Sequence, residues 1–225
     1  MNQEEFNPEK YFDLGNFLHK KVFILDQPVW KTIKKIKEYI SDQFSSEKLK
    51  SDFQKTNGSY YEGKNIFIGK GTKIYPGAYI GDNVIIGENC EIRPGAFLRG
   101  DLIIGSNVII GNSTEAKNAI FLNNSNAPHL NYVGDSIIGN NCNLGAGTIL
   151  SNIRFDYFTT DRTILVRNGD EKIDSCLRKF GAIFGDRAQT GCQAVLSPGT
   201  IVGKGAILGG SRTHLGIIES GSKLY

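Results

Sequence analysis

The 225-residue chain is short of charge of one sign, of long apolar runs, and of clustered metal ligands. Its 26 basic and 23 acidic residues leave a net charge of +3, too mild a balance to point to nucleic acid or to an anionic membrane surface. No apolar run is long enough to span a bilayer, and the N-terminus lacks the basic, apolar and small-residue order of a secretory signal; the expected location is the cytoplasm. Cysteines number four, and none forms a C-x-x-C pair. Histidines number three, and His19, His129 and His214 lie too far apart for a zinc centre that draws several histidines from neighbouring segments. The chain therefore gives no reason to expect a metal.

What it has in abundance is a period of six. From Ile68 the blocks read IGKGTK, IYPGAY, IGDNVI, IGENCE, IRPGAF, LRGDLI, IGSNVI, IGNSTE and AKNAIF, and Leu122 opens the next. Almost every first place is aliphatic. The fifth places are small or apolar: Thr72, Ala78, Val84, Cys90, Ala96, Leu102, Val108 and Thr114. The period resumes at Ile138, Leu144 and Leu150 and again at Phe184, Thr190, Leu196, Val202 and Leu208, with Cys142, Thr148, Ala188, Ala194, Thr200 and Ala206 in the small inward place. Two inward places in six fit a short strand and a turn. Such a unit cannot bury its apolar side alone, so coils must stack with their strands about 4.8 Å apart, as in a β-solenoid. Cys90 and Cys142 fall at inward places and read as reduced structural residues.

Residues 1–58 have another texture. Pro28 followed by Trp30, Ile33, Ile36 and Ile40, with lysines between, predicts an amphipathic helix, and residues 7–23 offer a weaker one. Residues 45–63 have linker composition. This N-terminal helical segment and linker is expected to cap the open end of the solenoid, which occupies residues 59–225.

The period breaks twice. Leu122 to Ile138 is sixteen residues, two hexads and four, which predicts a loop bulging out at 126–135, "NAPHLNYVGD". A longer excursion at 151–183 contains "TILVRNGDEKIDS", a predicted hairpin turning at Asn168–Gly169. Loops leaving a solenoid wall are where sites tend to lie.

Uninterrupted hexads, three to a coil, resemble the left-handed parallel β-helix of the hexapeptide-repeat acyltransferases. Within residues 113–152, E-x-K, H-L-x-Y-x-G-D and N-x-G-A-G-T occur in that order, as in the acetyltransferase domain of the bifunctional N-acetylglucosamine-1-phosphate uridyltransferases. "NIRFD", "RKFGAIFGD" and "TGCQAVLSPG" are closer to the archaeal-type sugar-1-phosphate nucleotidyltransferase/acetyltransferases and depart from the N-Y-D-G of the bacterial enzymes. The G-x-G-x-R signature of nucleotidyl transfer is absent, so no nucleotide sugar is expected to be made by this chain alone.

The resemblance implies an all-β solenoid of left-handed form, trimeric assembly, and transfer of acetyl from acetyl-CoA to the amine of an amino-sugar 1-phosphate. His129 would be the general base. The substrate residues would be Arg99, Lys117, Glu115, Tyr132, Asn143 and Asn152. Arg99 and Lys117 are also 18 residues apart, one three-hexad coil, and are expected to stack as a two-cation clamp for a phosphate. Coenzyme A would lie along residues 184–213, with Arg178, Lys179, Lys204 and Arg212 as candidates for its phosphates. The family's lysines after the "NIRFD" segment have no counterpart in "YFTTDRT", where Arg162 is the only cation. Two other readings of function share this fold: acylation of another acceptor, such as a nucleotide-linked amino sugar, and a non-catalytic scaffold.

Overall fold

The computed structural model describes residues 6–51 and 53–225. The repeat forms a parallel β-solenoid with three faces. The first is built from residues 60–61, 79–80, 97–98, 115–116, 132–133, 149–150, 195–196 and 213–214, each pair hydrogen-bonded to the next. The second takes residues 66–68, 84–86, 102–104, 119–121, 136–138, 182–184, 200–202 and 217–218. On the third, residues 73–74, 91–92, 109–110 and 126–127 continue through an isolated bridge at Asn143 to 189–190, 207–208 and 223–224.

The fifth-place residues line the core. Ala78, Val84, Leu102, Val108, Cys142, Ala188, Ala194 and Ala206 are fully buried. Burial pushes the Cys142 thiol up to about 12 and raises that of Cys90, so both stay protonated.

The second face is apolar on its outer side as well. Ile85, Ile103, Ile120, Ile137, Ile183 and Ile201 form a column there, all fully buried. The N-terminal segment covers this column. The predicted helix begins as a 3₁₀ turn, Val29–Lys35, and continues as an α-helix over Ile36–Ser45; Val29, Trp30, Ile33, Ile36 and Ile40 all face the solenoid. The weaker expected helix shrinks to single turns at Pro8–Tyr11 and Lys20–Val22. The helices of the segment therefore lie along one flank, where they cover the isoleucine column, and Phe53 near the end of the segment packs with Tyr61 and Ile68 against the solenoid core. Asp186, buried at 1%, pins the segment: its carboxylate accepts from the Asp13 amide at 2.7 Å and the Asn140 amide at 2.7 Å.

The excursion after Leu150 contains the expected hairpin, Leu165–Asn168 paired with Glu171–Asp174. Val166 and Ile173, with Leu177 and Phe180, join the same flank cluster, and the Phe180 ring lies 6.1 Å from that of Trp30.

The loop expected at 126–135 does not exist. Asn126–His129 and Tyr132–Ile138 are strands of the wall. Phe121, not Leu122, takes the inward place, and the pairs Ile104–Phe121 and Phe121–Ile138 show coils of 17 residues. The break is the loss of one residue from each of two successive coils, first taken up where Leu98 pairs with Ala116 but Gly100 pairs with Lys117.

Two predictions follow from this packing. Val108→Asp places an unpaired charge in the core and is expected to cost several kcal/mol, read as a large drop in thermal midpoint. His19 is buried within the N-terminal segment, with Nδ1 3.1 Å from the Tyr39 hydroxyl, and burial lowers its pKa to about 4. The unfolded chain holds this ring near its ordinary value of 6.5, so the unfolded state binds more protons between the two values. The stabilising effect is complete above pH 6.5 and lost as pH falls toward 4, on the order of 3 kcal/mol in all. Denaturant titrations across that window are expected to show a flatter profile for His19→Gln than for the parent.

Candidate functional site

The first face is a narrow strip, and five of the predicted substrate residues meet on it. Glu115 and Lys117 project from Glu115–Phe121, Tyr132 stands over Glu115 in the next coil, and Arg99 comes from the coil below. Asn152 follows the strand Ile149–Leu150 of the coil above.

Arg99 and Lys117 do not form the expected stack. Lys117 pairs in register with Gly100, and Arg99 is the extra residue of a β-bulge. Gly100 has φ 129°, and a Cβ there would lie 2.5 Å from the Asp82 carbonyl oxygen, so only glycine completes the bulge. Each cation has its own carboxylate. Arg99 Nη1 lies 2.8 Å from Glu115 Oε1 in a half-exposed pair, while Lys117 Nζ lies 2.9 Å from Asp135 Oδ2 in a nearly buried one. Asn118 donates to Asp135 Oδ1 at 2.7 Å, and the Asn152 amide donates to Oδ2. The Tyr132 hydroxyl reaches Asn152 Oδ1 at 3.4 Å. Burial, then the Asp135 and Glu115 carboxylates, push the Tyr132 pKa up, so its hydroxyl remains a proton donor.

His129 ends Asn126–His129 at the corner between the third and first faces. Its amide donates to Asn131 Oδ1 at 3.2 Å and its carbonyl accepts from the Gly147 amide at 3.0 Å. The next residue, Leu130, has φ 53° at a corner where other coils place Gly77, Gly95 and Gly147. The imidazole is exposed and makes no hydrogen bond to the described residues. Three residues on, Tyr132 begins the strip; at ~3.3 Å per residue, His129 and Tyr132 lie within roughly 10 Å. Asn143 stays apart from the cluster, on the third face between Asn126 and Gln189.

The four residues expected to hold coenzyme A are dispersed. Arg178 donates to the carbonyls of Tyr157 and Thr160, pairs with Asp161 and lies over the Tyr157 ring, where Lys179 also sits. Both brace the excursion. Lys204 donates to the Glu9 carbonyl at 3.0 Å on the covered flank, and Arg212 is exposed in the coil above Val195.

Asp135 was not among the expected site residues, although it ends the H-L-x-Y-x-G-D motif. A cavity of about 1140 Å³ also went unforeseen; it opens beside the strip, between the excursion and the last coils, and is lined by Ser151, Ile153, Phe155, Leu165, Arg167 and Leu215 among others. The stretch "IRFD" at 153–156 supplies four of its lining residues. Among the described residues, no group of three or more His, Cys, Asp or Glu could hold a metal ion, and no helix is long and apolar enough to cross a membrane.

Comparison with known proteins agrees with the repeat. The family model described as bacterial transferase hexapeptide (six repeats) matches residues 65–100. The bifunctional protein GlmU of Methanococcus aeolicus is 43% identical over 116 residues, covering 52% of this chain and 27% of that protein. The bifunctional sugar-1-phosphate nucleotidylyltransferase/acetyltransferase of Sulfurisphaera tokodaii is 39% identical over 94 residues, covering 42% of this chain and 22% of that one. The chain thus spans about a quarter of the length of the curated relatives it matches. The crystal structure of the polySia-specific acetyltransferase NeuO superposes with a TM-score of 0.43 at 16% identity, covering 72% of this chain and 76% of that one, a likeness too low to bear on function. The protein carries a hexapeptide-repeat domain, homologous over 52% of its own length to part of the bifunctional protein GlmU and over 42% to part of the bifunctional sugar-1-phosphate nucleotidylyltransferase/acetyltransferase.

Proposed function

We propose that the protein is an acyl-CoA-dependent sugar N-acetyltransferase acting on an amino-sugar 1-phosphate of the glucosamine 1-phosphate type. The observation that carries this is the convergence of Arg99, Glu115, Lys117, Tyr132 and Asn152 on one strip, with an uncommitted imidazole at its edge. Cations, a carboxylate, a protonated phenol and an amide in that arrangement suit a polar ligand with one anionic end. The relatives named for sugar-1-phosphate acetyl transfer support the same class.

In this reading the amine nitrogen attacks the thioester carbonyl of acetyl-CoA. The C–N bond forms, the C–S bond breaks, His129 takes the amine proton, and a proton returns to the departing thiolate. A positioned base contributes typically about 10²- to 10⁴-fold to such a step. Arg99 is the cation freest to meet the phosphate, since its counterion Glu115 is partly exposed and easily exchanged. The reading includes a homotrimer in the cytoplasm, and Arg178, Lys179, Lys204 and Arg212 as the candidate cations for the phosphates of the coenzyme.

Thiol release from acetyl-CoA is the direct test, measured with amino sugars, their 1-phosphates and nucleotide-linked amino sugars. Activity is expected with the 1-phosphates; activity only with a nucleotide-linked sugar would change the acceptor, and release with none would leave a scaffold. His129→Ala is expected to lower kcat by about 10² or more with acceptor KM little changed. Arg99→Ala is expected to weaken the 1-phosphate acceptor by about 1.5–3 kcal/mol and to spare free glucosamine, as read from KM.

A further inference from the structure

The corner between the first and second faces is a ladder. Asn83, Asp101, Asn118 and Asp135 occupy equivalent places in successive coils, all with left-handed φ of 55°, 52°, 43° and 48°. Asparagine and aspartate are the side-chain-bearing residues that tolerate this conformation best, which explains their use here. The ladder is joined by amide-to-oxygen bonds: Asn83 donates to Asp101 Oδ1 at 3.1 Å, as Asn118 does to Asp135. Either residue type satisfies the corner, because Asn83 and Asn118 fill it without a charge.

The negative charge at 135 therefore needs another reason. Asp135 is 4% exposed, and a buried carboxylate is costly unless paired and hydrogen-bonded. Its charge is met by Lys117 from the coil below and by the Asn152 amide from the coil above. Lys117 spends one of its three N–H groups on this pair and keeps the others, with the side chain 18% exposed. Asp101, at the same corner, binds no lysine among the described residues.

We infer that Asp135 is the positioning residue of the acceptor site, holding the Lys117 ammonium in the orientation that meets the acceptor phosphate and, secondarily, fixing which way the Asn152 amide points. The inference rests on the function proposed above. Asp135 touches no substrate in it; it acts through Lys117.

The variant is Asp135→Asn, which keeps the left-handed corner and removes the charge. Acceptor KM for glucosamine 1-phosphate is expected to rise about 10-fold or more, while KM for acetyl-CoA stays within about twofold. Asp101→Asn, the same change at the same kind of corner, is expected to leave both KM values at the parent level. A merely structural role would lower the thermal midpoint without splitting the two KM values, and an unchanged acceptor KM in Asp135→Asn overturns the inference. Should that variant not fold, Asp135→Asn is made over Lys117→Met, where no buried charge is left unpaired. There the acceptor KM is expected within about threefold of Lys117→Met alone, and a further rise of about tenfold overturns the inference. A parent protein that releases no thiol with any amino-sugar 1-phosphate would instead sink the functional reading, and is recognised before any variant is compared.

Discussion

Everything in this molecule depends on parallel strand pairing between successive coils. Each strand borrows its hydrogen bonds from the coils above and below, so one residue is placed over another 16 to 19 positions away in sequence, or 46 where the excursion intervenes. That spacing turns a linear repeat into columns. A column of small inward residues makes the core, a column of outward isoleucines makes the surface for the N-terminal segment, and a column of asparagines and aspartates turns the corner.

The hexads made the solenoid, its inward residues and its second excursion legible, because burial repeats with the strand and leaves a composition signal at every coil. Other features left a signal that the six-residue period alone does not expose. The outward isoleucines show at every third hexad as the middle residue of the triplets "VII" at 84–86, "LII" at 102–104, "AIF" at 119–121, "SII" at 136–138 and "AIF" at 182–184. Read with a period of eighteen, these triplets mark one face as covered on both sides, which places the N-terminal helix on the flank and not over the end. The break near His129 misled for a similar reason. A coil one residue short and a loop of several residues both interrupt a hexad count, and only the pairing register tells them apart.

Of the site, the strip residues were legible through a motif, and their pairwise geometry was not. Spacing of 18 predicted Arg99 over Lys117, but the bulge at Gly100 removes one step. Asn143 matched the motif yet lies on the third face, since the corner at Gly147 turns the chain between it and the strip. The strip, the His129 corner and the cavity beside the excursion all lie away from the N-terminal segment that covers the second face.

Stacked coils impose a particular electrostatic difficulty, since equivalent places in neighbouring strands lie about 4.8 Å apart and like charges directly opposed destabilise a sheet. Two cations on successive coils of the first face could not both sit in register without an anion between them. The bulge displaces Arg99 from the register, and each cation then takes a separate carboxylate, Glu115 at the surface and Asp135 below it. The two pairs differ in what a competing phosphate can do. An exposed pair gives up its counterion at little cost, whereas parting Lys117 from Asp135 would leave a buried carboxylate unpaired. The strip is thus asymmetric before any ligand arrives: one cation can exchange partners, and the other stays where its carboxylate holds it.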